Sequence, residues 1–180
     1  MVIYLVSAAA PPVSGKSPSG KARVPKIPPR REYPHRLKID REYDRFEKKT
    51  VTRIEPHLLG NRLELAAFFS TPDSDWVVPA SVTLIVWSEG KSWEYLKCHT
   101  FHLLGDNNPI DVVAVTHDGE VVEQGVTENI VVILETANFL RWVNSEKAEF
   151  RLCRTEYLMK PEEHVALIDF ASRMLPPDPK

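Results

Sequence analysis

Seven of the fifteen prolines fall within the first 38 residues, and they confine regular secondary structure to the remainder of the chain. Pro11, Pro12, Pro18, Pro25, Pro28, Pro29 and Pro34 each remove a backbone donor and fix φ, so neither a helix nor an inner strand can run through them. The same stretch carries eight Lys/Arg against one Glu, whereas residues 39–180 carry fifteen against twenty-four Asp/Glu. A basic arm of +7 therefore precedes an acidic region of −9, giving the net −2 of the chain. Ser, Gly and Lys fill the gaps between the prolines and leave little to bury. Residues 1–38 thus read as an arm, with a disordered or polyproline-like spacer over 11–38. Residues 39–176 read as one domain, and 177–180 as a tail. About 140 residues are enough to bury roughly two thirds of the unfolded surface in one core.

The first ten residues admit three readings. Val2 to Val6 is a short apolar run, and Ser7-Ala8-Ala9-Ala10 has the small residues of a cleavage region, but no positive charge precedes them. The segment is a degenerate secretory signal, the remainder of one that starts upstream, or an apolar end with no targeting role. It is too short to span a bilayer, and no later stretch reaches the ~20 apolar residues required. Cys98 and Cys153 could form one disulfide in an oxidising compartment or remain two thiols. Their spacing has no metal or redox pattern.

Period-two alternation dominates the domain. Leu63, Leu65, Ala67 and Phe69 share one face of a strand, and Val82, Leu84 and Val86 alternate with Thr83, Ile85 and Trp87 in a strand apolar on both faces. Further strands are expected over Tyr95–Leu104 and Ile110–Thr116. His117-Asp118-Gly119-Glu120 reads as a hairpin turn, because Asp-Gly tolerates positive φ. Glu120–Gln124 then reads as the return strand, with Ile130–Leu134 as the next. A short helix over Ala137–Asn144 is expected from Thr136 as N-cap. A strand at Ala148–Leu152, a turn at Cys153-Arg154 and a strand at Thr155–Met159 come after it. Pro161, with Glu162 and Glu163 behind it, opens a second helix that Pro176 and Pro177 close. The class is mostly β (α+β): an antiparallel sandwich or curled sheet with two short helices near the C-terminus.

The run Tyr43-Asp44-Arg45-Phe46-Glu47-Lys48-Lys49-Thr50, leading into a β-rich stretch that ends in helix, hairpin and helix, resembles uncharacterised bacterial β-rich domains of exported proteins and lipoproteins. The likeness covers residues 40–175. It implies export and a β-rich fold, and carries no activity. Such domains favour a small residue at the turn where this chain has Cys153, which argues against a disulfide there.

Chemistry-bearing residues are scattered. His99 and His102 are closest, but i and i+3 on a strand face opposite ways. His117 abuts a turn former. Asp106, Asn107, Asn108 and Asp111 form an oxygen-rich loop without the calcium-loop pattern, and a plain turn explains them. Asp73 and Asp75, beside Trp76, could do acid–base work on a sugar, but loop composition predicts the same residues. The chain has no G-x-S-x-G, no phosphate loop and no H-E-x-x-H. Trp87 and Trp93 flank Ser88-Glu89-Gly90-Lys91 and could grip a partner, whereas Trp76 and Trp142 stand apart. The arm could contact polyanions, yet Tyr33 is its one aromatic beyond the first ten residues, and the acidic domain would repel nucleic acid.

We therefore expect a non-enzymatic structural or interaction domain, exported to the bacterial envelope or secreted, with another protein or an envelope component as partner. No catalytic, cofactor or metal residues are assigned. The alternatives are a hydrolase using Asp73/Asp75 or Asp106/Asp111, a polyanion binder acting through the arm, and a cytoplasmic location.

Overall fold

A computed structural model of the chain describes residues 26–60, 63–73, 76–98 and 100–176. The first ten residues, most of the arm, Asp75, His99 and the tail lie outside them. Ten strands and two helices run in the order β1 (Ile39–Asp44), β2 (Lys49–Gly60), β3 (Leu63–Pro72), β4 (Ser81–Gly90), β5 (Phe101–Gly105), β6 (Asn108–Ile110), β7 (Ala114–Val122), β8 (Gly125–Glu135), α1 (Thr136–Val143), β9 (Ala148–Leu152), β10 (Thr155–Leu158) and α2 (Pro161–Ser172). They build two antiparallel sheets, β1-β2-β3-β4-β8-β7 and β10-β9-β5-β6. The class is mostly-β α+β, with both helices near the C-terminus.

Alternation sets the core. Leu63, Leu65, Ala67 and Phe69 of β3, Val82, Leu84 and Val86 of β4, and Ile130, Val132 and Leu134 of β8 are all buried on one face of the six-stranded sheet. Phe101 and Leu103 of β5 and Phe150 and Leu152 of β9 join the same core from the second sheet. Helix α2 closes it: Phe170 lies 5.0 Å from the Phe69 ring and 5.8 Å from Phe139 of α1.

Several local expectations are corrected. His117-Asp118-Gly119-Glu120 is no turn. It runs straight through β7, in register with Thr127–Ile130 of β8, and the hairpin turns at Glu123-Gln124. Gly119 is small for packing, since a Cβ there would lie 2.6 Å from Cζ3 of Trp93. The strand expected over Tyr95–Leu104 begins only at Phe101. Thr136 does not cap α1; it is the first helical residue, and its hydroxyl donates to the Pro79 carbonyl at 2.6 Å. Pro161 does open α2, and Glu163 accepts from the Lys160 backbone N–H at 2.8 Å.

The spacer expectation fails over residues 26–38. This segment has no regular secondary structure, but it is strapped to the domain. Pro28 is buried, and Ile27 and Leu37 pack against the core. Asn144 donates to the Lys26 carbonyl at 2.8 Å, Arg30 to the Leu175 carbonyl at 3.0 Å, and His35 Nε2 to Asp169 Oδ2 at 3.0 Å. A few apolar groups and well-placed carbonyls suffice to hold a proline-rich segment, because its φ angles cost little to order.

Candidate functional site

The outer face of the second sheet forms a cleft of about 800 Å³. Its shape comes from register. His102 of β5 stands opposite Arg151 of β9, which stands opposite Glu156 of β10. Two residues along the strands, Pro109, Leu104, Glu149 and Leu158 align across all four strands. Because side chains alternate, the same strands send Phe101, Leu103, Phe150 and Leu152 inward. On that inner side the sheet is braced: Phe150 stacks on Phe101 at 5.2 Å and meets Tyr157 at 5.3 Å. Leu158 stays 52% exposed, an uncovered apolar contact on this face.

Both ends of this sheet are pinned. Asp106 and Asn107 adopt positive φ (51° and 63°) and make the tight β5–β6 turn. The Asp106 carboxylate accepts from the Lys147 backbone N–H at 2.8 Å. At the other end Cys153, at φ 56°, turns β9 into β10 and is disulfide-bonded to Cys98, with Cα atoms 5.9 Å apart. The expectation drawn from small turn residues is thus overturned. A cysteine accepts the strained φ here because its sulfur ties the loop before β5 to the hairpin.

Charges in the cleft are mutually engaged. Arg151 lies 3.6 Å from Glu156, and Lys147 lies 2.9 Å from Glu149. Such exposed pairs contribute little to stability and exchange partners readily. The cleft therefore offers two mixed rows, His102, Arg151 and Glu156 in one and Pro109, Leu104, Glu149 and Leu158 in the other, so apolar contacts and charges of both signs lie side by side.

The buried carboxylates are committed elsewhere. Glu128, 2% exposed, accepts from the backbone N–H of Glu94 (2.7 Å) and Tyr95 (2.9 Å) and from His117 Nε2 (3.0 Å). Glu163 accepts from the Tyr157 hydroxyl at 2.7 Å. Burial first, and then the Glu163 carboxylate, push the Tyr157 hydroxyl well above its ordinary value. Asp169 accepts from His35 and from Arg173, at 3.0 and 2.9 Å. Burial raises its carboxyl, but the Arg173 and His35 hydrogen bonds outweigh it, and the net direction is down. Burial lowers His57, and its Nε2 lacks a partner. Each buried carboxylate holds a segment in place.

The residues singled out in the sequence do not assemble into one site. Asp73 sits in a turn at φ 51°, its backbone N–H donating to the Lys48 carbonyl at 2.7 Å, and Asp75 lies outside the described residues. Of Asp106 and Asp111, only Asp111 lines the cleft, and its carbonyl accepts from Asn138 at 3.1 Å. His102 lines the cleft, while His99 lies outside the described residues. Trp87 and Trp93 do not grip one partner. Trp87 shares the outer face of the large sheet, whereas Trp93 packs edge-on to His117, whose side chain turns to buried Glu128. Trp142 is buried, and Trp76 lies beneath Arg41 (3.7 Å) and Arg30 (5.0 Å).

Among the described residues, no group of three His, Cys, Asp or Glu could hold a metal ion, and no helix is long and apolar enough to cross a membrane. Sequence reasoning missed Glu149, Arg151, Glu156 and Leu158 as a face. The hairpin pattern from Ala148 to Met159 already assigned the opposite face inward, and that signal could have found them. Compared with known proteins, the chain matches no family model, no curated protein and no solved structure.

Proposed function

We propose that the chain is a non-enzymatic interaction domain, presented outside the cytoplasm, whose binding face is the cleft on the second sheet. It takes an extended polypeptide segment, with apolar side chains against Leu104 and Leu158 and charged side chains toward Glu149, Arg151 and Glu156. The observation that carries this reading is the cleft itself: exposed apolar side chains interleaved with charges of both signs, on a sheet backed by stacked aromatics. Pockets of this composition suit recognition, with a few polar groups setting orientation. The Cys98–Cys153 bond supports an oxidising compartment and therefore export to the envelope or secretion. The hydrolase alternative finds less support, because Asp73 and Asp106 are engaged in turns. Polyanion binding through the arm also finds less, since Arg30 and Arg31 stack on Trp76 and Tyr33.

The test is selection of random displayed peptides on the full chain, repeated with Leu104→Glu and Leu158→Glu. Peptides alternating apolar and charged residues are expected, with binding lost in both variants. Peptides that bind wild type and variants equally, or no selected peptide at all, would overturn the assignment.

A further inference from the structure

The six-stranded sheet is covered on one side only. Both helices and the second sheet pack on the face of Phe69, Leu84 and Val132. The opposite face carries Ala66, Phe68, Ile85, Trp87, Val131 and Ile133, which register places side by side. Ile85 pairs with Ala66 and Val131, and Thr83 pairs with Phe68 and Ile133. Among the described residues no element packs across them. An antiparallel sheet that faces water normally carries polar residues on that side, so an apolar band three strands wide calls for a partner.

We infer that this face is the interface of a homodimer, and that its occupant is the same face of a second copy. Size is the first argument. Six strands at about 4.8 Å spacing, the central ones about ten residues long at about 3.3 Å each, give roughly 800 to 900 Å². A stable interface takes about 800 Å² from each partner. Shape is the second. Strand twist has a fixed hand, so two copies of one sheet nest face to face as the sheets of a sandwich do, and a second copy supplies the matching twist without further design. Anatomy is the third. Ile85, between Ala66 and Val131, is the apolar centre; Trp87, between Glu64 and Asn129, and Phe68, between Arg53 and Thr83, stand at its edge, with Glu89, Asp118 and Glu120 beyond one side and Lys49 beyond the other. An apolar centre inside a rim of aromatic and charged side chains is how stable interfaces are built. The pairing is isologous, so each side chain near the two-fold axis meets its own copy. It is independent of the cleft on the second sheet.

Sedimentation velocity of the full chain over a range of concentrations tests this. The expected species is twice the 20.5 kDa chain mass. Ile85→Lys places two unpaired ammonium groups in the interface and should raise the dissociation constant by at least about a hundredfold. Should that variant fail to fold by circular dichroism, Thr83→Arg decides, because a polar residue already stands there. Leu158→Glu, in the cleft, should leave the mass unchanged. A wild-type monomer throughout the range, or a dimer that survives in every folded variant of this face, would overturn the proposal.

Discussion

Replacing Glu128 with alanine tests most sharply how the domain holds the irregular segment between β4 and β5. The Glu128 carboxylate, on the buried face of β8, is the anchor for the chain after β4. It accepts from Glu94 at 2.7 Å, Tyr95 at 2.9 Å and His117 at 3.0 Å. Hydrogen bonds to a charged acceptor contribute about 1.5 to 3 kcal/mol each, and a buried N–H left without an acceptor costs about 1 to 3 kcal/mol. Against this, alanine removes the desolvation cost of a carboxylate that is 2% exposed. The balance is a loss of about 3 kcal/mol, or roughly 6 to 12 °C in Tm for a domain of this size. Glu128→Gln keeps one oxygen where Tyr95 and His117 are served and forfeits the bond from Glu94, so about half the loss is expected. Urea unfolding followed by tryptophan fluorescence gives the free energies. Hydrogen exchange gives the local consequence, faster exchange at the Glu94 and Tyr95 amides. Stabilities of both variants within about 0.5 kcal/mol of wild type, or unchanged protection at those two amides, would refute the reasoning.

Further outcomes rest on the same physical terms. The Cys98–Cys153 bond joins residues 55 positions apart, so Cys153→Ser with Cys98→Ser should cost about 4 kcal/mol by the chain-entropy estimate, read as a lower urea midpoint. Asp169 has its folded carboxyl held below the ordinary 3.8, so its contribution is fully present above that value and lost as pH falls through the lowered one. Acid titration of stability should therefore flatten in Asp169→Asn, and an unchanged acid limb would contradict the pairing with Arg173 and His35. His35→Ala should release the strap, raising amide exchange and protease cleavage within residues 26–38 while β4 and β8 stay protected. Cleavage as slow as in wild type would show that the strap is held without His35, by the packing of Ile27, Pro28 and Leu37 and the hydrogen bonds at Lys26 and Arg30.

Strands with clean alternation were legible from sequence, and those that break it were not. Leu63–Phe69, Val82–Trp87 and the Ala148–Met159 hairpin announce themselves by period two. Strand β1 does not, because IDREYD is an edge strand with mostly exposed charges. Strand β2 hides because the register shifts between Ile54 and His57 and again between Leu58 and Gly60, which resets the alternation twice. Asp118-Gly119 carries the chemistry of a turn, but the glycine there makes room for Trp93, a tertiary contact that no local pattern encodes. The strap is illegible for a related reason: proline composition reports what the segment cannot form and says nothing of the carbonyls it offers to Asn144. The cleft was half legible. The hairpin fixes which way Glu149, Arg151 and Leu158 point, but pairing of β5 with β9 across more than forty residues brings His102 and Leu104 beside them.

The central claim is that recognition occurs on the outer face of the second sheet. It is tested most directly by titrating a selected peptide into the isotope-labelled full chain and following backbone amide shifts by NMR. The account predicts perturbations concentrated at His102, Leu104, Glu149, Arg151 and Leu158, with the signals of Ile85 and Val131 unmoved. Perturbations centred elsewhere, with those five signals unchanged, would contradict it.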